Sequence, residues 1–108
     1  MKLVISQVLK SKVAAFHSEG LAIFNLINKS FNQRNHIELS FEGLEKCATQ
    51  FLNASIGKLY LLNDPAIVDS LIGFDYGTVH LLEEKIREVR DNAIHQKDYD
   101  GLLKNATI

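Results

Sequence analysis

The stripe Val79, Leu82, Ile86, Val89 and Ala93 constrains this chain more than any other feature. Its three-then-four spacing puts these residues on one side of a helix and leaves Glu83, Arg87 and Asp91 on the other. Charges of alternating sign at i, i+4 and i+8 mark a solvated face. The apolar side needs a surface to cover, and a sheet is the expected one. With 108 residues, 46% of them hydrophobic, the chain is predicted to form one domain over 1–108 with one core.

The sequence before the stripe supplies strands that alternate with helices. Leu3 to Leu9 reads as a strand by its β-branched content, and Ser11 to Phe16 is ambiguous. Ser18 is placed to cap a helix running to about Asn32, with Glu19 against the helix dipole and Leu21, Phe24, Ile27 and Phe31 near one face. His36 to Glu42 alternates, so Ile37, Leu39 and Phe41 face one way and Glu38 and Ser40 the other. After a turn at Glu42-Gly43, Thr49 is placed to cap a second helix carrying Leu52, Ile56 and Leu59. The small residues Ala54 and Gly57 on that helix allow close approach to a neighbour. Asp64-Pro65 reads as an N-cap followed by Pro at N1, opening a short helix to about Asp69. Ser70 to Tyr76 is a third strand, and Gly77-Thr78 ends it and caps the last helix. The tail 98–108 is expected either to add a short helix around Leu102-Leu103 or to fray. The predicted class is α/β, a mostly parallel or mixed sheet of three to four strands with helices mainly on one face. So narrow a sheet would gain from an added strand within Ser11 to Phe16, or from a second copy pairing across an edge.

Charge and spacing exclude several functions. Twelve Lys and Arg against thirteen Asp and Glu give a net charge of −1 with no basic cluster, so no nucleic-acid partner is expected. The apolar run near Met1 is too short for a signal-peptide core, and no stretch approaches the roughly 20 apolar residues of a membrane span. A single cysteine fits a reducing compartment, and the expected location is cytoplasmic with no membrane partner. His17, His36, His80 and His95 have no HxxxH or HxH spacing, there is no CxxC pair, and glycine-rich phosphate loops are missing. The expectation is therefore no metal, no cofactor and no catalytic residue.

EGLAIFNLINKSF (19–31), HIELSFEGLEKCATQFLNASIGKLY (36–60), LIGFDYG (71–77) and the final helix resemble the STAS-like domain family of unknown function (DUF4325). The resemblance spans nearly the whole chain. It implies a fold similar to anti-sigma-factor antagonists, small α/β modules that act through protein partners. In those proteins a serine at the head of the helix after the central strand is phosphorylated by a partner kinase, commonly with an aspartate before it. By this resemblance the serine falls on Thr49 and the aspartate on Ala48, so the acid is missing here.

The stretch between Lys46 and Lys58 carries no charge, which suits a docking surface at the head of the second helix. Thr49 is the candidate regulatory phosphosite, with a plain helix cap as its other reading. Cys47, Ala48, Gln50 and Asn53 are the candidate partner contacts; Cys47 also reads as buried filler, and Asn53 as a local hydrogen-bonding residue. The expected function is a non-catalytic regulatory protein-binding module; the resemblance implies a protein partner, with an anti-sigma-type kinase, another ATPase and a second copy of this chain as the candidates. The alternative is a small nucleotide- or anion-binding domain, or an enzyme, using the same helix N-terminus.

Overall fold

The computed structural model describes the backbone of residues 1–106 and the side-chain surroundings of residues 1–97. In chain order the elements are β1 (Lys2–Val4), α1 (Ile5–Leu9), β2 (Val13–Ala14), α2 (His17–Asn32), β3 (Ile37–Ser40) and β4 (Lys46–Cys47). There follow α3 (Thr49–Leu52), a π turn (Asn53–Gly57), α4 (Lys58–Leu62), α5 (Pro65–Leu71), β5 (Ile72–Asp75) and α6 (Leu82–Ala106). Leu102 and Leu103 lie on α6, and their side chains fall outside the described residues. The class is α/β, as the alternation predicts.

All strand pairs are parallel. β3 lies between β1 and β5, while β2 and β4 form a separate pair. The ambiguous segment after Ser11 thus contains a strand, but β2 does not widen the central sheet. In register, Leu3 meets Leu39, Leu39 meets Phe74, and Ile37 meets Ile72. These side chains form one face over which the core is built. The other face presents Lys2 and Glu38, both exposed. Ser40 departs from the expected wet side: its hydroxyl donates to Asp75 Oδ2 at 2.9 Å, and it is fully buried by this cross-strand neighbour.

Residues 49–62 run without a break through α3, the π turn and α4, since the backbone stays right-handed helical at Leu52, Asn53, Gly57 and Lys58. This helix is the centre of the molecule. α2 packs on it and on β3, and α6 packs on α3, the π turn and α4. The stripe Leu82, Ile86, Val89 and Ala93 is buried as expected, but chiefly against this helix rather than the sheet. Close approach follows from small residues: a Cβ on Gly20 of α2 would stand 2.6 Å from the Phe51 carbonyl oxygen.

Several boundaries differ from the sequence expectation, each for a local reason. Only Lys2–Val4 of the first apolar run is extended; Ile5 to Leu9 closes a helical turn that ends at Lys10 in the left-handed region. Ser6 pins that turn by donating to the Glu42 carbonyl at 3.0 Å. Burial of Ile5, not an extended backbone, accounts for the β-branched residue there. Ser18 is not the cap of α2. Glu19 reaches back to accept from the N–H groups of Ala15 and Phe16, at 3.2 and 3.0 Å, so the helix begins at His17. Thr78 does not cap the last helix either. Leu81 takes φ 57, and the helix begins only at Leu82. The Asp64 cap is as expected, its Oδ1 accepting from Ala66 N–H at 2.9 Å with Pro65 at N1.

Candidate functional site

The short β2–β4 pair positions the head of α3. Val13 registers with Lys46 and Ala14 with Cys47, and the Ala48 N–H continues the ladder to the Ala14 carbonyl at 2.8 Å. Alternation buries Ala14 and Cys47 and leaves Val13 and Lys46 outside. The ladder holds Ala48 extended (φ −80, ψ 149), making it the N-cap and Thr49 the first helical residue. Thr49 is thus exposed at the head of the helix but is not its cap, because the last ladder bond fixes the boundary one residue earlier. Gln50 also turns back, its Nε2 donating to the Ala15 carbonyl at 2.6 Å.

Facing this pair, the connection from β5 to α6 turns at Gly77 and ends at Leu81, whose side chain is 51% exposed. Between the two walls lies a cleft of about 460 Å³. Val13, Ala15, Cys47, Ala48, Val79 and Leu81 give it an apolar lining. Glu45, Lys46, His80 and Lys85 supply its polar groups. Burial pushes the Cys47 thiol up to about 12, against the smaller opposing effect of the Lys85 charge, so it is a packed thiol and not a thiolate.

The site residues expected from sequence therefore divide. Cys47 and Ala48 line the cleft, Thr49 adjoins it in sequence, and Gln50 ties α3 to the segment before α2. Asn53 does not join them. It sits on the π turn, between one groove shared with Gly57 and Val89 and another shared with His17 and Leu21.

A second constellation escaped the sequence reading. Tyr60 Oη donates to Asp69 Oδ1 at 2.6 Å, while Arg90 donates from Nε to Oδ1 at 3.1 Å and from Nη2 to Oδ2 at 2.7 Å. The guanidinium also stands 5.3 Å from the centre of the Tyr60 ring. The hydrogen bonds from Arg90 hold the Asp69 carboxyl below its usual range, whereas burial first and Asp69 second push the Tyr60 hydroxyl upward. Three residues from three helices have no shared spacing that a sequence could reveal. Among the described residues no group of three or more His, Cys, Asp or Glu side chains could hold a metal ion, and no helix is long and apolar enough to cross a membrane.

Sheet, helical layer and cleft define a small α/β domain with a parallel sheet covered on one face. A family model described as a STAS-like domain of unknown function (DUF4325) matches residues 19–75. The match runs from the first turn of α2 to the end of β5, more than half the chain, and the chain belongs to that family. No curated protein and no solved structure matches it.

Proposed function

We propose that this domain is a non-catalytic regulatory module that docks a protein partner in the cleft between the β4–α3 turn and Leu81. The partner class offered by the family resemblance is an anti-sigma-type kinase or a related ATPase, and phosphorylation of Thr49 is the proposed switch. The observation that carries this reading is Leu81: a large apolar side chain, half exposed, in a left-handed backbone conformation that disfavours it, on the wall of an apolar cleft. A non-glycine residue there costs about 1 kcal/mol or more, and such strain collects where function requires it. Cys47, buried and with its thiol pushed up to about 12, belongs to the packing of the cleft wall and not to a reactive centre.

Leu81→Gly tests the reading, because glycine suits the backbone at this position while removing the apolar contact. The variant should fold within about 1 kcal/mol of the parent. It should bind a co-purifying partner at least about tenfold more weakly, since an apolar anchor of this size contributes over 1.4 kcal/mol. Thr49→Asp should also weaken binding with little change in melting, whereas Thr49→Ala should bind as the parent does. Calorimetric titration beside urea melts measures both quantities. A partner indifferent to Leu81→Gly and Thr49→Asp would place docking elsewhere.

A further inference from the structure

The basic groups of the cleft indicate what it takes. Lys85, one turn into α6, is half-buried in the cleft lining, and among the described residues its ammonium has neither an ion pair nor a hydrogen bond. Lys46 lines the cleft from β4, and His80 from the connection opposite. The one carboxylate among the described lining residues, Glu45, is exposed and lies 4.0 Å from Lys12 Nζ. With Lys46 and Lys85 against Glu45, the largely apolar lining carries a formal excess of positive charge in a chain of net charge −1. A lysine whose half-buried stem lies beside apolar groups suits a carboxylate that arrives with an apolar neighbour, the charge pairing with the ammonium while the apolar group packs on the lining.

We propose that the cleft binds a segment of a partner protein in which an Asp or Glu stands next to a large apolar side chain. The apolar group packs on Ala48, Val79 and Leu81, and the carboxylate pairs with Lys85. This assignment rests on the docking reading above and adds the chemistry of the ligand. It also gives Thr49 a direction: a phosphate there, next in sequence to the lining residue Ala48, brings the same sign of charge as the ligand and so opposes binding.

The probes are two labelled, capped eight-residue peptides, one alternating Leu with Glu and the other Leu with Lys, titrated into the full chain by fluorescence anisotropy. The parent should bind the Leu/Glu peptide in preference, with affinity falling as salt is added. Lys85→Met should weaken that binding about tenfold or more, Lys85→Arg should retain it, and Lys85→Glu should invert the preference. Urea melts of each variant separate lost binding from lost fold. Equal affinity for the two peptides, binding of neither, or indifference to Lys85→Met in a folded variant overturns the assignment. The co-purifying partner distinguishes the two levels. Release by Leu81→Gly but not by Lys85→Met rejects the acidic ligand and leaves the docking site standing, whereas indifference to both Leu81→Gly and Thr49→Asp rejects the site itself.

Discussion

Ala48 and Thr49 show how a single ladder bond can move a helix boundary. Thr is a good N-cap and Ala a poor one, so side-chain chemistry alone selects Thr49. The bond from Ala48 N–H to the Ala14 carbonyl instead keeps residue 48 extended, and the helix begins with no side-chain oxygen to accept from its first N–H groups. The family resemblance puts an acid at this same position, where it would be the cap. Ala48→Asp should therefore stabilise the domain by about 1 kcal/mol. Thr49→Ala should shift stability by less than about 0.5 kcal/mol, as an exposed first-turn residue that caps nothing. Urea melts compare the two, and a loss near 1 kcal/mol for Thr49→Ala would return the cap to Thr49. Of the candidate site, the sequence made the turn before α3 legible: two residues of its uncharged stretch, Cys47 and Ala48, line the cleft. The opposite wall, Val79 to Lys85, was not legible, because only the fold brings it across from β4.

Among the elements, the 49–62 helix departs most from its sequence pattern. Leu52, Ile56 and Leu59 suggest one apolar stripe, yet Phe51, Ala54, Ser55, Gly57 and Tyr60 are buried too. The helix is enclosed between α2 and α6, so its small residues serve contact rather than solvation. The π turn leaves no mark in the periodicity, since one extra residue within a helix buried on several sides does not break an apolar stripe. Within it, Ser55 satisfies its buried hydroxyl by donating to the Phe51 carbonyl at 2.8 Å. The two glycines at the helix contacts should respond differently to a methyl group. An added Cβ on Gly20 meets backbone oxygen at 2.6 Å, which cannot give way, whereas one on Gly57 meets a Val89 methyl at 3.2 Å, which can shift slightly. Gly20→Ala should cost about 1–3 kcal/mol by overpacking. For Gly57→Ala the gain of about 1 kcal/mol in helix propensity should offset most of the crowding. Denaturant midpoints decide it, and equal losses would mean that the α2 contact is no tighter than the α6 contact.

At the scale of the whole molecule, alternation of strands and helices was enough to predict an α/β domain with a mostly parallel or mixed sheet and helices mainly on one face, because local periodicity and chain connection rules determine that much; that every pair is parallel, and that β2 and β4 stand apart, only the fold shows. It was not enough to find the Tyr60–Asp69–Arg90 cluster, which joins the 49–62 helix, α5 and α6 and so links the centre of the fold to its last helix. This cluster should make stability depend on pH at both ends of the range. Asp69 has a folded pKa below its unfolded one, so its contribution is present above about pH 4 and is lost as pH falls through the folded value. Tyr60 has a folded pKa above its unfolded one, so its contribution is complete below about pH 10 and is lost as pH rises beyond that. Asp69 and Arg90 side chains are 44% and 32% exposed, and solvent screening limits the pair to about 1 kcal/mol near pH 7. Asp69→Asn keeps the shape and removes the charge. Its deficit against the parent should therefore be about 1 kcal/mol near pH 7 and should shrink as both are melted at pH values falling from about 5 to about 2. Tyr60→Phe should flatten the alkaline limb while leaving the acid limb close to that of the parent. A deficit in Asp69→Asn that stays constant down to about pH 2 would show that the cluster holds α6 by shape and packing, with the carboxylate charge contributing nothing.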